Sequence, residues 1–140
     1  MRHPTHAAFV HFPIALLGTS LLFDALGSWR AEPLFWAIAF WNIALGLALS
    51  LPTVGTGLAD SIQVPEESPA SVATTRHLLV MLSALFCYGL ALFARGGSTV
   101  PANNALLETL TLEAVGLGLL MYGGWLGGEL VYRHGVGRSD

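Results

Sequence analysis

Five histidines, His3, His6, His11, His77 and His134, are the only ones in this chain of 140 residues, and each lies near the end of a strongly apolar segment. Neutral imidazole binds transition metals and haem iron through one ring nitrogen while a neighbouring acceptor holds the other. A single histidine at a membrane boundary often only bridges wet and apolar zones, as Trp and Tyr do. Several that gather at one level from different segments point instead to a shared ligand. The segments therefore decide what these histidines can do.

The composition is that of a membrane protein: 54% of residues are hydrophobic and 11% charged, against about 25% charged in an ordinary soluble domain. A bilayer core about 30 Å thick needs roughly 20 apolar residues per helix. Four stretches qualify. Residues 12–29 carry one charge, Asp24, and residues 33–51 carry none; residues 77–93 follow, and a fourth run extends from 104 to at least 128. The helices are expected at about 4–29, 33–51, 73–95 and 104–132. A soluble bundle would need a polar face on each helix, and the second and third have almost none. The amino terminus, with Arg2 as its only basic residue, a long apolar run and no convincing small-residue cleavage site, does not read as a signal peptide. The expected fold is an all-α integral membrane four-helix bundle forming one domain, with no repeat and both termini on the same side.

Arg30, Glu32 and Pro33 make a tight hairpin, and Arg95, Gly96, Gly97 and Ser98 open the last connection. The stretch 52–75, with Thr53, Gly55, Thr56, Gly57, Asp60, Pro65 and Pro69, reads as a long loop and a candidate wall of a site. Four crossings bring His3, His6, His11, His77, His134 and Asp60 to one side. The opposite surface is expected to hold Arg30, Glu32, Arg95 and Glu108. Arg2, Arg76, Arg133 and Arg138 on the histidine side outnumber Arg30 and Arg95, which favours termini in the cytoplasm. Cys87, alone in the third helix, can make no internal disulfide.

Pro4 suits a first helical turn and Pro13 is expected to kink the first helix. At roughly 100° per residue, His6 and His11 point about 140° apart and serve different partners. In the fourth helix Gly116, Gly118, Gly123, Gly124, Gly127 and Gly128 allow close helix packing and leave room for a flat ligand. Asp24 and Glu113 lie within spans, in the half away from the histidines, where a structural or a proton-relay role is open. Glu129 is placed to support a histidine, and Asn42, Gly46 and Ser50 form an interhelical stripe.

The opening His3-Pro4-Thr5-His6, the run Val10-His11-Phe12-Pro13-Ile14-Ala15-Leu16 with Phe23-Asp24, Arg76-His77, and the closing stretch from Gly123 to Gly137 carry a resemblance. They are similar to a bacterial family of small predicted four-helix membrane proteins of unknown function, over nearly the whole chain. Some relatives in that family are fused to Rieske-type iron–sulfur domains, which implies company with electron transfer. No Rieske domain or CxxCH motif occurs in this chain.

The expectation is a b-type haem, one or two, held near one face of a bacterial inner membrane and exchanging electrons with a redox partner protein. His11 and His77 are expected as axial ligands and His6 and His134 as further ones. Gly124, Gly127 and Gly128 would admit the ring, Arg133 would meet propionates, and Asp60, Glu129 and His3 would support the ligands. Two alternatives stay open: a zinc, copper or iron ion bound directly by the same histidines in a metalloenzyme or transporter, and a cofactor-free structural subunit. A homo-oligomer packed through glycines is compatible with each. No feature suggests nucleic-acid binding or hydrolytic catalysis.

Overall fold

The computed structural model describes residues 5–101 and 103–136. Four helices account for nearly all of them: α1 (Thr5–Arg30), α2 (Pro33–Ser61), α3 (Pro69–Arg95) and α4 (Asn103–Tyr132). Each holds a stretch long and apolar enough to cross a membrane. At about 1.5 Å per residue they exceed the roughly 30 Å hydrocarbon thickness, so their ends project or the helices tilt. Large apolar side chains such as Phe12, Leu51, Phe86, Phe93 and Met121 point outward, as lipid-facing residues must.

Local chemistry sets most of the ends. Pro33 and Pro69 open α2 and α3 at positions that have no helical N–H partner to lose. Ser68 caps α3 by accepting from the Ser71 N–H. Gly96 closes α3 in the left-handed region at φ 70°, and Ala31, at φ 53°, makes the tight α1–α2 turn at a conformational cost.

The stretch expected as a long loop is mostly helix. α2 runs through Pro52 to Ser61, and the connector shrinks to residues 62–68. Pro52 and the two glycines read as breakers, but the Thr53 and Thr56 hydroxyls bond back to the carbonyls of Leu49 and Pro52. Packing against the start of α1 holds the extra turns, an instance of tertiary contact overriding local propensity.

Each helix packs mainly against its hairpin partner, α1 with α2 and α3 with α4, while smaller interfaces join α2 to α3 and α1 to α4. α1 and α3 therefore face each other diagonally across the bundle. The core between them holds Leu17, Ile43, Ala84, Tyr88 and Leu120.

A repeat is present, contrary to the sequence reading. The buried positions of α1 recur in α3 at a constant offset, pairing Pro13 with Ala84, Leu17 with Tyr88, Ser20 with Ala91 and Asp24 with Arg95. Those of α2 recur in α4, pairing Ala39 with Thr109, Ile43 with Glu113, Gly46 with Gly116 and Ser50 with Leu120. Amphipathic helices match one another easily, so the packing partners are the stricter comparison. Leu17 lies against Gly46 and Tyr88 against Gly116, so each fills the place a Cβ would occupy on the partner helix. The short motif Ala44-x-Gly46-Leu47-x-Leu49 returns as Ala114-x-Gly116-Leu117-x-Leu119. Two equivalent hairpins thus enter from the same side, in the manner of the parallel repeats found in some transporters.

Candidate functional site

The repeat places two of the five histidines at equivalent positions. His6, near the start of α1, rests against Gly57 of α2, where an added Cβ would come within 3.0 Å of its ring. Its Nδ1 lies 3.0 Å from the Thr53 carbonyl and 3.3 Å from the Thr56 hydroxyl. His77, near the start of α3, rests against Gly127 of α4, with the corresponding distance 3.2 Å. Its Nδ1 lies 2.9 Å from the Gly123 carbonyl. A carbonyl can only accept, so each Nδ1 donates, and the Nε2 lone pair of each neutral ring has no partner among the described residues. Both rings are half-buried.

His11 is exposed on the outer face of α1, as its angular separation from His6 requires. The pair with matching contacts is accordingly His6 with His77. His134 lies half-buried in the turn after α4, and His3 lies outside the described residues. His134 borders a shallow groove of about 210 Å³ between α3 and α4, together with Ala73, Arg76, Leu126, Glu129 and Arg133. Glu129 accepts a hydrogen bond from Arg133 at 2.7 Å and, among the described residues, makes no bond to a histidine. Asp60 is half-buried near the end of α2.

The glycines of α4 divide into two faces. Gly116, Gly123 and Gly127 lie against Tyr88, Met81 and His77, whereas Gly118, Gly124 and Gly128 meet open space. The polar stripe of α2 does join helices: the Asn42 amide donates to the Thr19 hydroxyl at 3.1 Å, and Gly46 receives Leu17.

A second polar centre lies at the opposite end of the bundle, and the sequence reading divided its members. Arg95 had been assigned to the surface, yet its side chain is fully buried. Its Nη1 and Nη2 donate to the two Asp24 oxygens at 2.6 and 2.9 Å, and Nη2 also donates to the Trp36 carbonyl at 3.0 Å. Glu113 is fully buried beside this pair. The signal for the bridge was the helical repeat, which puts Asp24 and Arg95 at equivalent positions facing across the bundle; without that repeat, Arg95 reads as a loop residue.

Among the described residues no group of three or more His, Cys, Asp or Glu side chains is arranged to hold a metal ion. The histidine pair supplies two ring nitrogens from different helices. Two imidazoles are fewer than the three or four protein ligands that a bare zinc ion takes.

Residues 2–140 match a family model described as predicted membrane protein, DUF2231. No curated protein and no solved structure matches the chain.

Proposed function

The chain belongs to the DUF2231 family of predicted membrane proteins, and we propose that within it this protein is an electron carrier holding one b-type haem between His6 and His77. The observation that carries this reading is the matched presentation of the two rings. Each is seated on a glycine of its hairpin partner, each has Nδ1 fixed by a carbonyl one turn earlier on that partner, and each keeps Nε2 free. Hydrogen bonding of this kind fixes tautomer and ring orientation and raises ligand basicity. When bound, the haem supplies one-electron redox chemistry.

The chain's own residues orient and shield that site. Gly57 and Gly127 let the imidazoles approach the neighbouring backbone, and the apolar bundle beneath them excludes water. His11 and His134 stand outside the pair and are not needed as its ligands. The charge distribution supports a cytoplasmic position for the histidine end in a bacterial inner membrane. With Arg95 buried in an ion pair, Arg30 is the remaining basic residue at the far end, against Arg2, Arg76, Arg133 and Arg138. A redox partner would approach from that side.

The test is an absorption spectrum of the detergent-purified protein, expressed with ample haem and recorded oxidised and then dithionite-reduced. Sharp reduced α and β bands, lost in His6→Ala and in His77→Ala but retained in His11→Ala, are expected. A colourless wild type sinks the haem reading and directs attention to elemental analysis.

A further inference from the structure

The polar centre at the far end plays no part in the histidine site. Asp24 on α1 and Arg95 on α3 satisfy one another in a bidentate pair, so their charges cancel. Glu113 on α4 is fully buried, and among the described residues neither of its carboxylate oxygens has a hydrogen-bond partner. Ser20 and Asp24 are among the polar side chains that face it. The Ser20 hydroxyl donates to the Leu17 carbonyl and the Asp24 oxygens accept from Arg95, so neither side chain offers a proton to a Glu113 carboxylate. Among the described residues, three further buried atoms in this half lack partners: the Tyr88 hydroxyl, the Thr109 hydroxyl and Arg95 Nε. Thr109 stands one turn before Glu113, and the Tyr88 ring rests on Gly116, about one turn after it.

The polarity of Glu113 and Thr109 is confined to one of the two hairpins. Ile43 and Ala39 occupy in the first hairpin the places that Glu113 and Thr109 occupy in the second, and both are buried core residues. The fold packs with apolar side chains there. A carboxylate in that place would be an uncompensated charge inside the membrane, and such groups are resolved by a counter-charge or by neutralisation. Arg95 is already paired with Asp24, and among the described residues no group of three or more His, Cys, Asp or Glu side chains is arranged to hold a metal ion. A proton is the remaining neutraliser.

We propose that Glu113 is a proton-binding site inside the membrane, its carboxyl taking up and releasing a proton through water that enters among Tyr88, Thr109 and Arg95 Nε. In uptake a carboxylate oxygen forms an O–H bond with a proton from a water-borne acid; release restores the carboxylate, and no electron moves. The groups that face it are Asp24 and Ser20 from α1 and Arg95 and Tyr88 from α3, while the buried face of α2 at this level, Trp36, Ala39 and Ile43, brings nothing titratable. On its own helix Glu108 is exposed. The inference stands apart from the haem reading, since the two centres lie at opposite ends of the bundle.

The test is infrared spectroscopy of the full chain reconstituted in lipid, compared in H₂O and D₂O at neutral pH. A carboxylic-acid C=O stretch that shifts in D₂O and vanishes in Glu113→Gln is expected. Glutamate-specific ¹³C labelling assigns the band without any substitution, because Glu113 is the one glutamate that is buried; the assignment survives a variant that fails to fold. Absence of a glutamate acid band overturns the proposal, since the carboxylate is then charged. A band that does not respond to D₂O also overturns it, since the proton is then static and the group only structural.

Discussion

Exchanging the two ends of the Asp24–Arg95 bridge probes both its energetics and the repeat that produces it. Arg95 donates two hydrogen bonds to Asp24 and a third to the Trp36 carbonyl, and both side chains are fully buried. Removing one partner strands the other charge away from water, which costs about 3–5 kcal/mol. At 1.4 kcal/mol per tenfold change, Asp24→Leu or Arg95→Met shifts the unfolding equilibrium by roughly two to three and a half orders of magnitude. Because the two positions are equivalent across the bundle, the double exchange Asp24→Arg with Arg95→Asp rebuilds the pair in reverse. It loses only the Trp36 contact, about 1.5–3 kcal/mol for a bond from a charged donor. The doubly apolar Asp24→Leu/Arg95→Met is expected to be more stable than either single variant, since paired removal leaves no stranded charge. Reversible unfolding in mixed micelles gives all five free energies. An exchanged variant no more stable than the single substitutions would refute the equivalence of the two positions.

Other substitutions follow from the same packing. Gly116→Ala drives a Cβ to 2.8 Å from the Tyr88 ring and is expected to destabilise by about 1–3 kcal/mol, whereas Gly118→Ala enters open space and gains up to about 1 kcal/mol of helix propensity; the same unfolding assay compares them. Gly127→Val and Gly57→Val crowd the His77 and His6 rings, where an added Cβ meets them at 3.2 and 3.0 Å, so either variant is expected to lower haem retention during purification while Gly124→Val leaves it unchanged. Gly96→Ala retains the fold but costs about 1–2 kcal/mol, because an L side chain is forced to φ 70° at the end of α3; a lowered melting temperature with an unchanged circular dichroism spectrum is the expected record.

Much of the architecture was legible in the chain because lipid imposes simple demands. Length, apolarity and sparse charge marked four spans, and the crossing count put the four described histidines, His6, His11, His77 and His134, at one end. The division of His6 from His11 also followed from helix geometry alone. Choosing which of them faces inward did not, since both flank apolar residues and only the contact of His6 with Gly57 and Thr53 on α2 decides it. Pro52, Gly55 and Gly57 misled as loop signals because hydroxyl groups and the α1 contact sustain the helix through them. Arg95 was the largest omission. A residue at a helix end reads as surface, and its long side chain reaches back into the bundle toward a carboxylate far away in sequence. The repeat was hidden because equivalent places hold different residues, Leu17 against Tyr88 and Ile43 against Glu113, while the shared glycines and the shared histidine are too few to stand out.

The most direct measurement is the haem content of the purified chain by pyridine haemochromogen assay, set against protein concentration, for the wild type and for His6→Ala and His77→Ala. One haem per chain in the wild type, and an equal loss in the two variants, is the predicted result, because the two rings are held in the same way. Haem absent from the wild type, or retained in full by either variant, would contradict the account.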